Sequence, residues 1–177
     1  KQLERLSQTD PLMNIYNRKY FFDYMEKVIQ QENYDKCAIV MIDIDNFKVI
    51  NDNFGHQFGD KVLINTGKII KSWLGDNDLM ARYGGEEIIL YITDFDDELS
   101  VYNKMNIVRR AIEGSVVSFQ GKEKSVTASF GIAYFPMNSR DINELIKIAD
   151  DLLYKSKNLG KNRVISAHDE KFKTLLC

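Results

Sequence analysis

Apolar residues recur at helical spacing in three stretches of the chain. They are Phe21, Phe22, Met25, Val28 and Ile29 within residues 18–31, Leu63, Ile70 and Leu74 within residues 59–74, and Ile142, Leu145, Ile146, Ala149, Leu152 and Leu153 within Ile142–Asn158. This period places apolar side chains on one face, so the pattern predicts three amphipathic helices. Gly75 follows the second in the position typical of a helix stop. Residues 97–113 also have helical character.

Continuous apolar runs predict the strands. Cys37–Ile44 is apolar and rich in β-branched residues, which is typical of a buried central strand. Residues 79–83 and 88–92 are two further strands, and Gly84 and Gly85 between them predict the turn of a hairpin. Residues 125–135 have strand character, and residues 163–165 add a short edge strand.

The order of these elements favours an α+β fold. Strands and helices alternate without a strict βαβ series and include a hairpin, which predicts a mixed, mostly antiparallel central sheet flanked by helices. A length of 177 residues fits one domain, which we expect at residues 10–166. Residues 1–9, where Leu3 and Leu6 stand three apart, are interpreted as the end of a linker helix from an upstream region. Residues 167–177 are interpreted as a C-terminal tail.

Composition excludes several classes of protein. With 44% hydrophobic and 28% charged residues, the chain has the balance of a soluble globular domain, and its apolar runs are far shorter than the roughly 20 residues that cross a bilayer. A formal net charge of −2 disfavours a nucleic-acid partner. Two cysteines provide neither a disulfide framework nor a zinc site, so we expect a cytoplasmic protein without direct membrane contact.

Three carboxylates are the candidate chemistry. Asp43 closes the central strand, and Glu86 and Glu87 lie on the hairpin, so the three converge if the two strands are neighbours in the sheet. Magnesium usually takes one or two carboxylates together with substrate phosphates. Acidic residues at strand ends and turns are also commonly solvated, and the Gly-Gly-Glu-Glu sequence alone does not decide between these readings.

The surrounding residues resemble a known family, the GGDEF domains. Asp43 to Asp60 follow its pattern D-x-D-x-F-K-x-I-N-D-x-x-G-H-x-x-G-D, and Arg82 to Glu87 follow its signature hairpin. Further resemblances are Asp10-Pro11-Leu12 with Tyr16-Asn17-Arg18, the strand Ser129-Phe130-Gly131-Ile132-Ala133, and the closing segment from Lys157 to Val164. Ordered matches over nearly the whole chain are a specific signal.

The resemblance implies a ferredoxin-like core similar to nucleotide cyclases and polymerase palm domains. It implies a diguanylate cyclase, in which the 3′-hydroxyl of one GTP attacks the α-phosphate of another, twice, giving cyclic di-GMP and two pyrophosphates. By motif position, Asp43 and Glu86 hold metal through side chains, Ile44 holds it through its carbonyl, and Glu87 is a further metal or catalytic carboxylate. Two Mg²⁺ or Mn²⁺ ions are implied per site. No unique general base is assigned.

The resemblance also implies the substrate contacts. Asn51 and Asp60 correspond to the pair that reads guanine, although Asp60 precedes a helical run and helix capping is its alternative role. Lys48, Lys157 and Lys161 match phosphate contacts, and lysines near a helix C-terminus also interact with the helix dipole. Phe47 is included among the substrate-binding residues, although packing is the commoner role for an aromatic residue there.

One departure from the family concerns regulation. Its product-binding inhibitory site is R-x-x-D, and this chain has Gly75-Asp76-Asn77-Asp78 instead, which predicts weak or absent product inhibition because the arginine grip on the dianion is lost. Ile88, where many relatives have Phe, exchanges one apolar residue for another. Lys161, where the family often has Arg, gives up the bidentate fork and keeps the positive charge.

The implied assembly is a homodimer with one GTP per subunit, controlled by an upstream sensor or receiver domain. The domain is expected either free in the cytoplasm or as the cytoplasmic part of a membrane-bound sensor. The alternative is a catalytically silent GTP-binding regulatory module, against which the intact Asp43, Glu86 and Glu87 count. A P-loop or Rossmann protein is disfavoured because neither glycine motif occurs, and nothing in the motifs favours a plain dimerisation domain.

Overall fold

A central sheet carries the fold. The computed structural model describes residues 8–30 and 36–168; the predicted linker helix around Leu3 and Leu6 and the tail beyond His168 lie outside the described residues. The strands are β1 (Thr9–Asp10), β2 (Ile15–Asn17), β3 (Cys37–Ile44), β4 (Leu79–Arg82), β5 (Glu87–Ile92), β6 (Val116–Phe119), β7 (Lys122–Ser125), β8 (Ala128–Phe135) and β9 (Val164–Ser166). The helices are α1 (Arg18–Gln30), α2 (Phe47–Phe54), α3 (His56–Lys71), α4 (Glu98–Glu113) and α5 (Ile142–Asn158).

The strand order confirms a mixed, mostly antiparallel sheet. Seven strands follow the order β1-β2-β4-β5-β3-β8-β9. Strand β3 pairs antiparallel with both β5 and β8, and β5 pairs antiparallel with β4. Only the outer pairs β2 with β4 and β8 with β9 are parallel among the described strands. The inner order β4-β5-β3-β8, with helices after β3 and β5, is the predicted ferredoxin-like core.

Helices cover both faces of this sheet. Every residue of β3 and β8 is buried. In β3, Val40 and Ile42 pack into the cluster that contains the apolar faces of α3 and α4. Ile39 and Met41 pack into the cluster that contains those of α1 and α5. Because both faces of β3 are covered, its sequence is a continuous apolar run rather than an alternating one.

Helix α5 packs closely against the sheet at a glycine. A Cβ atom on Gly131 of β8 would lie 2.0 Å from the carbonyl oxygen of Ala149 and 2.4 Å from the backbone nitrogen of Leu153. Those are backbone atoms of α5, which cannot rotate away, so this position accepts no side chain. The contact fixes α5 against β8 and thereby places Lys157, near the end of the helix.

Several predicted elements have different bounds in the structure. The strand predicted at residues 125–135 begins at Ala128, because Ser125 belongs to the separate β6–β7 hairpin. The helix predicted at residues 59–74 spans His56–Lys71, and the additional helix α2 precedes it, divided from it by Gly55 at φ 88°. The predictions for β3 and α5 are confirmed to the residue, and the predicted short strand at 163–165 is the edge strand β9.

Two further features of the described residues are the environment of the Cys37 thiol and the length and polarity of the helices. Cys37 is fully buried in β3, and this burial raises the pKa of its thiol to about 12, so it is an inert core residue at neutral pH. Within residues 8–30 and 36–168, none of the helices combines the length and apolar character that crossing a bilayer requires.

Candidate active site

The central strand and the hairpin are neighbours, which meets the condition set for converging carboxylates. Asp43 is the register partner of Glu87 across the β3–β5 ladder and of Ser129 across the β3–β8 ladder. Asp43 is only 6% exposed. The end of β3 therefore places a buried carboxylate beside the first residue of β5.

The turn of the hairpin is shaped by Glu87. The backbone N–H groups of Tyr83 and Gly84 donate to the Glu87 carbonyl oxygen at 2.8 and 3.3 Å. A Cβ atom on Gly84 would lie 2.6 Å from Glu87 Oε2, whereas a Cβ on Gly85 would meet nothing within 4 Å. The carboxylate of Glu87 thus lies over Gly84, and the two glycines have different roles.

Arg82 also stabilises the turn, through the Gly85 carbonyl oxygen and Asp10. Its Nε and Nη2 atoms donate to the Gly85 carbonyl oxygen at 3.0 and 2.8 Å, and its Nη1 atom lies 2.9 Å from Asp10 Oδ2. The other oxygen of Asp10 accepts from the Met13 backbone N–H at 2.8 Å. The turn that carries Glu86 is therefore tied to the segment between β1 and β2.

The electrostatics of Asp43 are those of an incompletely neutralised site. Burial raises the pKa of its carboxyl group to about 6, the Lys157 ammonium 2.8 Å away opposes that rise, and the charges of Glu86 and Glu87 add to it. One lysine does not offset the burial and the neighbouring carboxylates together. A further cation at this position would favour the ionised form.

The donor set fits a divalent cation that binds together with its substrate. Across the described ranges, no group of three side chains is already gathered in metal-binding geometry, since Asp43 pairs with Lys157 and Glu87 lies over Gly84. Asp43, Ile44 and Glu86 nevertheless line one pocket and offer hard oxygen donors. A site that keeps few protein ligands and leaves positions for phosphates is typical of Mg²⁺.

That pocket has a volume of about 190 Å³. It brings together seven of the predicted site residues, namely Asp43, Ile44, Phe47, Lys48, Glu86, Lys157 and Lys161, along with Asp45 and Asn46. Lysines from α2, α5 and the loop after α5 face carboxylates from β3 and the hairpin turn. Glu87, Asn51 and Asp60 do not line it. The arrangement suits a polyphosphate with an associated cation.

Helix α2 points its N-terminus into the pocket. Asn46, at its N-cap position, has a left-handed backbone (φ 57°) and makes no side-chain capping bond. The first N–H groups of a helix have no partner within the helix, and the helix dipole favours negative charge there. Phe47 and Lys48 are the first two residues of this helix, which the sequence analysis assigned to a polar motif without recognising a helix.

Asn51 contacts the residue before Asp60 where α2 packs against α3. A Cβ atom on Gly59 would lie 1.9 Å from Asn51 Oδ1, so the asparagine rests directly on this glycine, and Asp60 is the next residue. The Asn51 Oδ1 atom is buried without a hydrogen-bond partner. The capping alternative for Asp60 is wrong, because the N-cap is Gly55 and Asp60 lies inside α3.

Phe47 packs as anticipated, and its predicted contact with substrate stays a prediction. Its side chain is half-buried and packs against the core, while it also lines the pocket. Lys157 is in the last turn of α5, where the helix dipole favours a cation, and it contacts Asp43; the predicted phosphate contacts of the three lysines stay predictions. Lys161 follows in the loop, with φ 63°, and its ammonium donates to Asn46 Oδ1.

Asp45 is the residue that sequence reasoning did not include. It is 4% exposed, and its carboxylate accepts from Thr127 Oγ1 and Ser129 Oγ, each at 2.7 Å, and from the Asn162 backbone N–H at 3.0 Å. The only sequence signal was its place two residues after Asp43 in the motif. Its partners lie far along the chain and could not be paired with it from spacing.

The segment from Gly75 to Asp78, at the position of the family's inhibitory site, forms hydrogen bonds within the protein. Asp78 Oδ2 accepts from the Gly75 backbone N–H at 2.8 Å and from Lys104 Nζ at 3.2 Å, and its Oδ1 atom accepts from the Thr93 backbone N–H at 2.9 Å. The carboxylate is thus engaged inside the protein. A cavity of about 770 Å³ adjoins it, with Tyr16 and Lys71 among its lining residues.

Comparison with known proteins gives one consistent family. The family model described as "Diguanylate cyclase, GGDEF domain" matches residues 7–163. Diguanylate cyclase A of Treponema denticola is 35% identical over 170 residues, 92% of this chain and 45% of that protein. Diguanylate cyclase VdcA of Vibrio cholerae is 38% identical over 159 residues, 88% of this chain and 46% of that protein. The chain thus spans less than half the length of either relative.

Solved structures agree in fold. The coiled coil and GGDEF domain of DgcB from Caulobacter crescentus, in complex with c-di-GMP, matches with a TM-score of 0.85 at 29% identity over 94% of this chain and 88% of that one. Diguanylate cyclase SiaD from Pseudomonas aeruginosa, in complex with its activator SiaC, has a TM-score of 0.84 at 27% identity over 94% of this chain and 64% of that one.

Proposed function

Because the chain belongs to the GGDEF family of diguanylate cyclase domains, we propose that it condenses two molecules of GTP into cyclic di-GMP and releases two pyrophosphates. The observation that carries the proposal is the register of Asp43 opposite Glu87, which brings the strand-end carboxylate beside the hairpin. Named diguanylate cyclases among its relatives support the same reaction.

The chain's own residues hold the triphosphate. The ammonium groups of Lys48, Lys157 and Lys161 surround the pocket, and the N-terminus of α2 opens on it. Positive charges placed in advance stabilise the negative charge that develops on the leaving pyrophosphate. Lys157 leaves Asp43 for a phosphate when substrate binds, and Lys161 exchanges Asn46 for another.

The guanine base binds at Asn51 and Asp60. A carboxylate accepts hydrogen bonds from the guanine N1–H and 2-amino groups, and adenine offers no equivalent pair of donors. Asn51, whose side chain contacts Gly59, the residue before Asp60, is the second base contact. Because adenine lacks the donor pair that Asp60 accepts from, GTP is selected over ATP. Phe47 supports the nucleotide from the pocket wall.

Asp43, Glu86 and the carbonyl group of Ile44 would hold Mg²⁺ or Mn²⁺, two ions per active site, with Glu87 as a further metal or catalytic carboxylate. Bound metal lowers the pKa of a coordinated hydroxyl group and stabilises both the attacking and the leaving oxygen. Asp43, whose pKa is about 6, is mostly deprotonated at neutral pH and so keeps the ionised form that metal binding requires.

Catalysis requires a homodimer. One pocket binds one GTP, and cyclic di-GMP contains two GMP units, so two subunits must bring their bound nucleotides face to face. Each 3′-hydroxyl group then attacks the α-phosphate held by the other subunit. An upstream sensor or receiver domain would control this assembly in the cytoplasm; the greater length of the curated relatives supports a larger protein.

Product inhibition through the usual R-x-x-D site is absent in this proposal. Gly75 stands where the arginine would be, and three internal hydrogen bonds occupy Asp78. Without a guanidinium group, the site lacks the bidentate donor that grips a phosphate.

The experiment uses the chain fused to a dimeric coiled coil, incubated with GTP and MgCl₂ and analysed by anion-exchange chromatography. We expect cyclic di-GMP and pyrophosphate in a one to two ratio, lost in Glu86→Ala and Glu87→Ala and retained in Glu26→Ala, a control on the exposed face of α1. Product made by Glu86→Ala would contradict the site assignment. GTP bound by the wild type without product would identify the silent regulatory module instead.

A further inference from the structure

The buried carboxylate of Asp45 links the end of β3, which carries the proposed metal ligands, to the loop after α5 that carries Lys161. Asp45 follows β3, two residues after Asp43, and its carboxylate is occupied by three hydrogen bonds, from Thr127, Ser129 and Asn162. Its own backbone N–H donates to the Thr127 carbonyl oxygen at 2.9 Å. A carboxylate that is 4% exposed is stable only when it is bonded in this way.

The loop that Asp45 holds has an unfavourable backbone. Lys161 and Asn162 follow Gly160 with φ angles of 63° and 47°, so two consecutive residues other than glycine occupy the left-handed region. Each costs free energy that the surrounding structure must offset. The Asn162 N–H donates to Asp45 Oδ2 within this very turn, so the charged acceptor stabilises the conformation.

The same loop is clamped on its other side by helix α4. Arg109 Nη1 donates to Asn162 Oδ1 and the Asn162 Nδ2 atom donates to Glu113 Oε1, both at 2.8 Å. Arg109 also pairs with Glu113 at 2.8 Å. Asn162 is therefore held at its backbone by Asp45, just after β3, and at its side chain by α4, while the adjacent Lys161 faces the pocket.

We propose that Asp45 is a positioning residue for substrate phosphate: by holding Asn162 it fixes the left-handed turn that directs the Lys161 ammonium group into the pocket. The inference rests on the proposed function for its substrate, GTP. It assigns Asp45 no contact with the reacting atoms. The role explains why a charged residue is buried at this point, where an apolar side chain would leave three donors without their acceptor.

A double-mutant cycle tests it. We expect Asp45→Asn to raise the KM for GTP about tenfold, the equivalent of one charge-assisted hydrogen bond, with a smaller change in kcat. If Asp45 acts through Lys161, then Asp45→Asn combined with Lys161→Ala has the KM of Lys161→Ala alone. Asp150→Asn, an exposed carboxylate on α5, is the matched control and leaves KM unchanged. Additive effects, or an unchanged KM in Asp45→Asn, would overturn the proposal.

A second measurement separates this proposal from the proposed function and from a general loss of stability. Hydrogen exchange of the Asn162 amide, measured without nucleotide, should speed up at least tenfold in Asp45→Asn, while amides in the middle of β3 keep their protection. Unchanged exchange at Asn162 contradicts the positioning role even if the chain makes cyclic di-GMP. If Asn162 exchanges faster in Asp45→Asn but the wild type makes no cyclic di-GMP, the proposed reaction is wrong and the link from Asp45 to the loop still holds.

Discussion

The ammonium group of Lys157 lies 2.8 Å from Asp43 Oδ2, where the candidate site needs a cation. In the free protein this pair supplies part of the missing positive charge at a buried carboxylate. In the proposed reaction, substrate binding would exchange partners: Lys157 would gain a phosphate, and Asp43 would become available to a metal ion. On that proposal, the pair competes with a metal ion that arrives without the nucleotide.

The first prediction follows from that competition. Lys157→Met retains the aliphatic stem and removes the charge, so Mn²⁺ should bind the nucleotide-free protein about tenfold more tightly at pH 8, because an ion pair with Asp43 no longer has to be broken. GTP turnover should fall, since a phosphate contact is lost. Titration calorimetry measures the first effect. Lys147→Met, an exposed lysine on the same helix, should change neither, and weaker Mn²⁺ binding in Lys157→Met would contradict the competition.

The second prediction concerns stability and pH. The pKa of Asp43 in the folded protein, about 6, exceeds the value of about 3.9 for an unfolded chain, so the folded state binds this proton more tightly. The stabilising contribution of the carboxyl group is complete below about pH 4 and is lost as the pH rises through 6. Asp43→Asn remains neutral and should avoid that loss.

Urea unfolding in the presence of a chelator measures this difference. Between pH 4 and pH 7.5, the free energy of unfolding of Asp43→Asn should improve relative to the wild type by about 2 kcal/mol, from 1.4 kcal/mol per pKa unit. Asp150→Asn should show no such trend. A difference between Asp43→Asn and the wild type that is the same at both pH values would exclude the raised pKa as the cause.

The third prediction compares the two glycines of the hairpin. Gly84→Ala places a methyl group 2.6 Å from Glu87 Oε2, so the carboxylate must move, and activity should fall at least tenfold, whereas Gly85→Ala enters open space and should retain most activity. Both variants should unfold within a few degrees of the wild type, because Glu87 is a flexible side chain. Steady-state rates of pyrophosphate release measure this difference in activity. Equal losses of activity in the two variants would contradict a specific role for the position of Glu87.

The fourth prediction concerns the product. Gly75 offers no guanidinium group, and Asp78 is engaged by Lys104 and two backbone N–H groups. Initial rates should therefore be unchanged when cyclic di-GMP is added at concentrations well above those that the reaction produces during the assay. Calorimetry should likewise detect no product binding at this face. Half-maximal inhibition at low micromolar product, relieved by Asp78→Asn, would show that the site works without its arginine.

Sequence reasoning located the elements whose environment is uniform along their length. Strand β3 is buried on both faces and α5 on one, so their apolar patterns start and stop with the elements. The β6–β7 hairpin pairs only with itself among the described strands, and Lys122–Ser125 is exposed at every position. Strand β7 therefore has no buried face and no alternation to detect, and Val117 is the one fully buried residue of β6. Helix α2 was hidden because it spans only eight residues, of which Ile50 alone is fully buried.

The residues of the candidate site, like the secondary structure, could be predicted only in part from the sequence. The resemblance identified residues by motif, and the structure brings seven of them around one pocket. The role of Asp45 was inaccessible, because its hydroxyl partners and the Asn162 amide come from distant segments that only the folded sheet brings together. Sequence spacing describes neighbours along a helix or strand; it carries no information on a contact made between chain segments.

The close approach of Gly131 to the backbone of α5 has a consequence for mutational screening. A saturation screen scored by cellular cyclic di-GMP would place Gly131 beside Glu86 among the least tolerant positions, although Gly131 touches no nucleotide. A parallel score for protein abundance would separate them, since a methyl group at 2.0 Å from the Ala149 carbonyl oxygen removes the folded protein itself, whereas the Glu86 variants would accumulate normally and remain inactive.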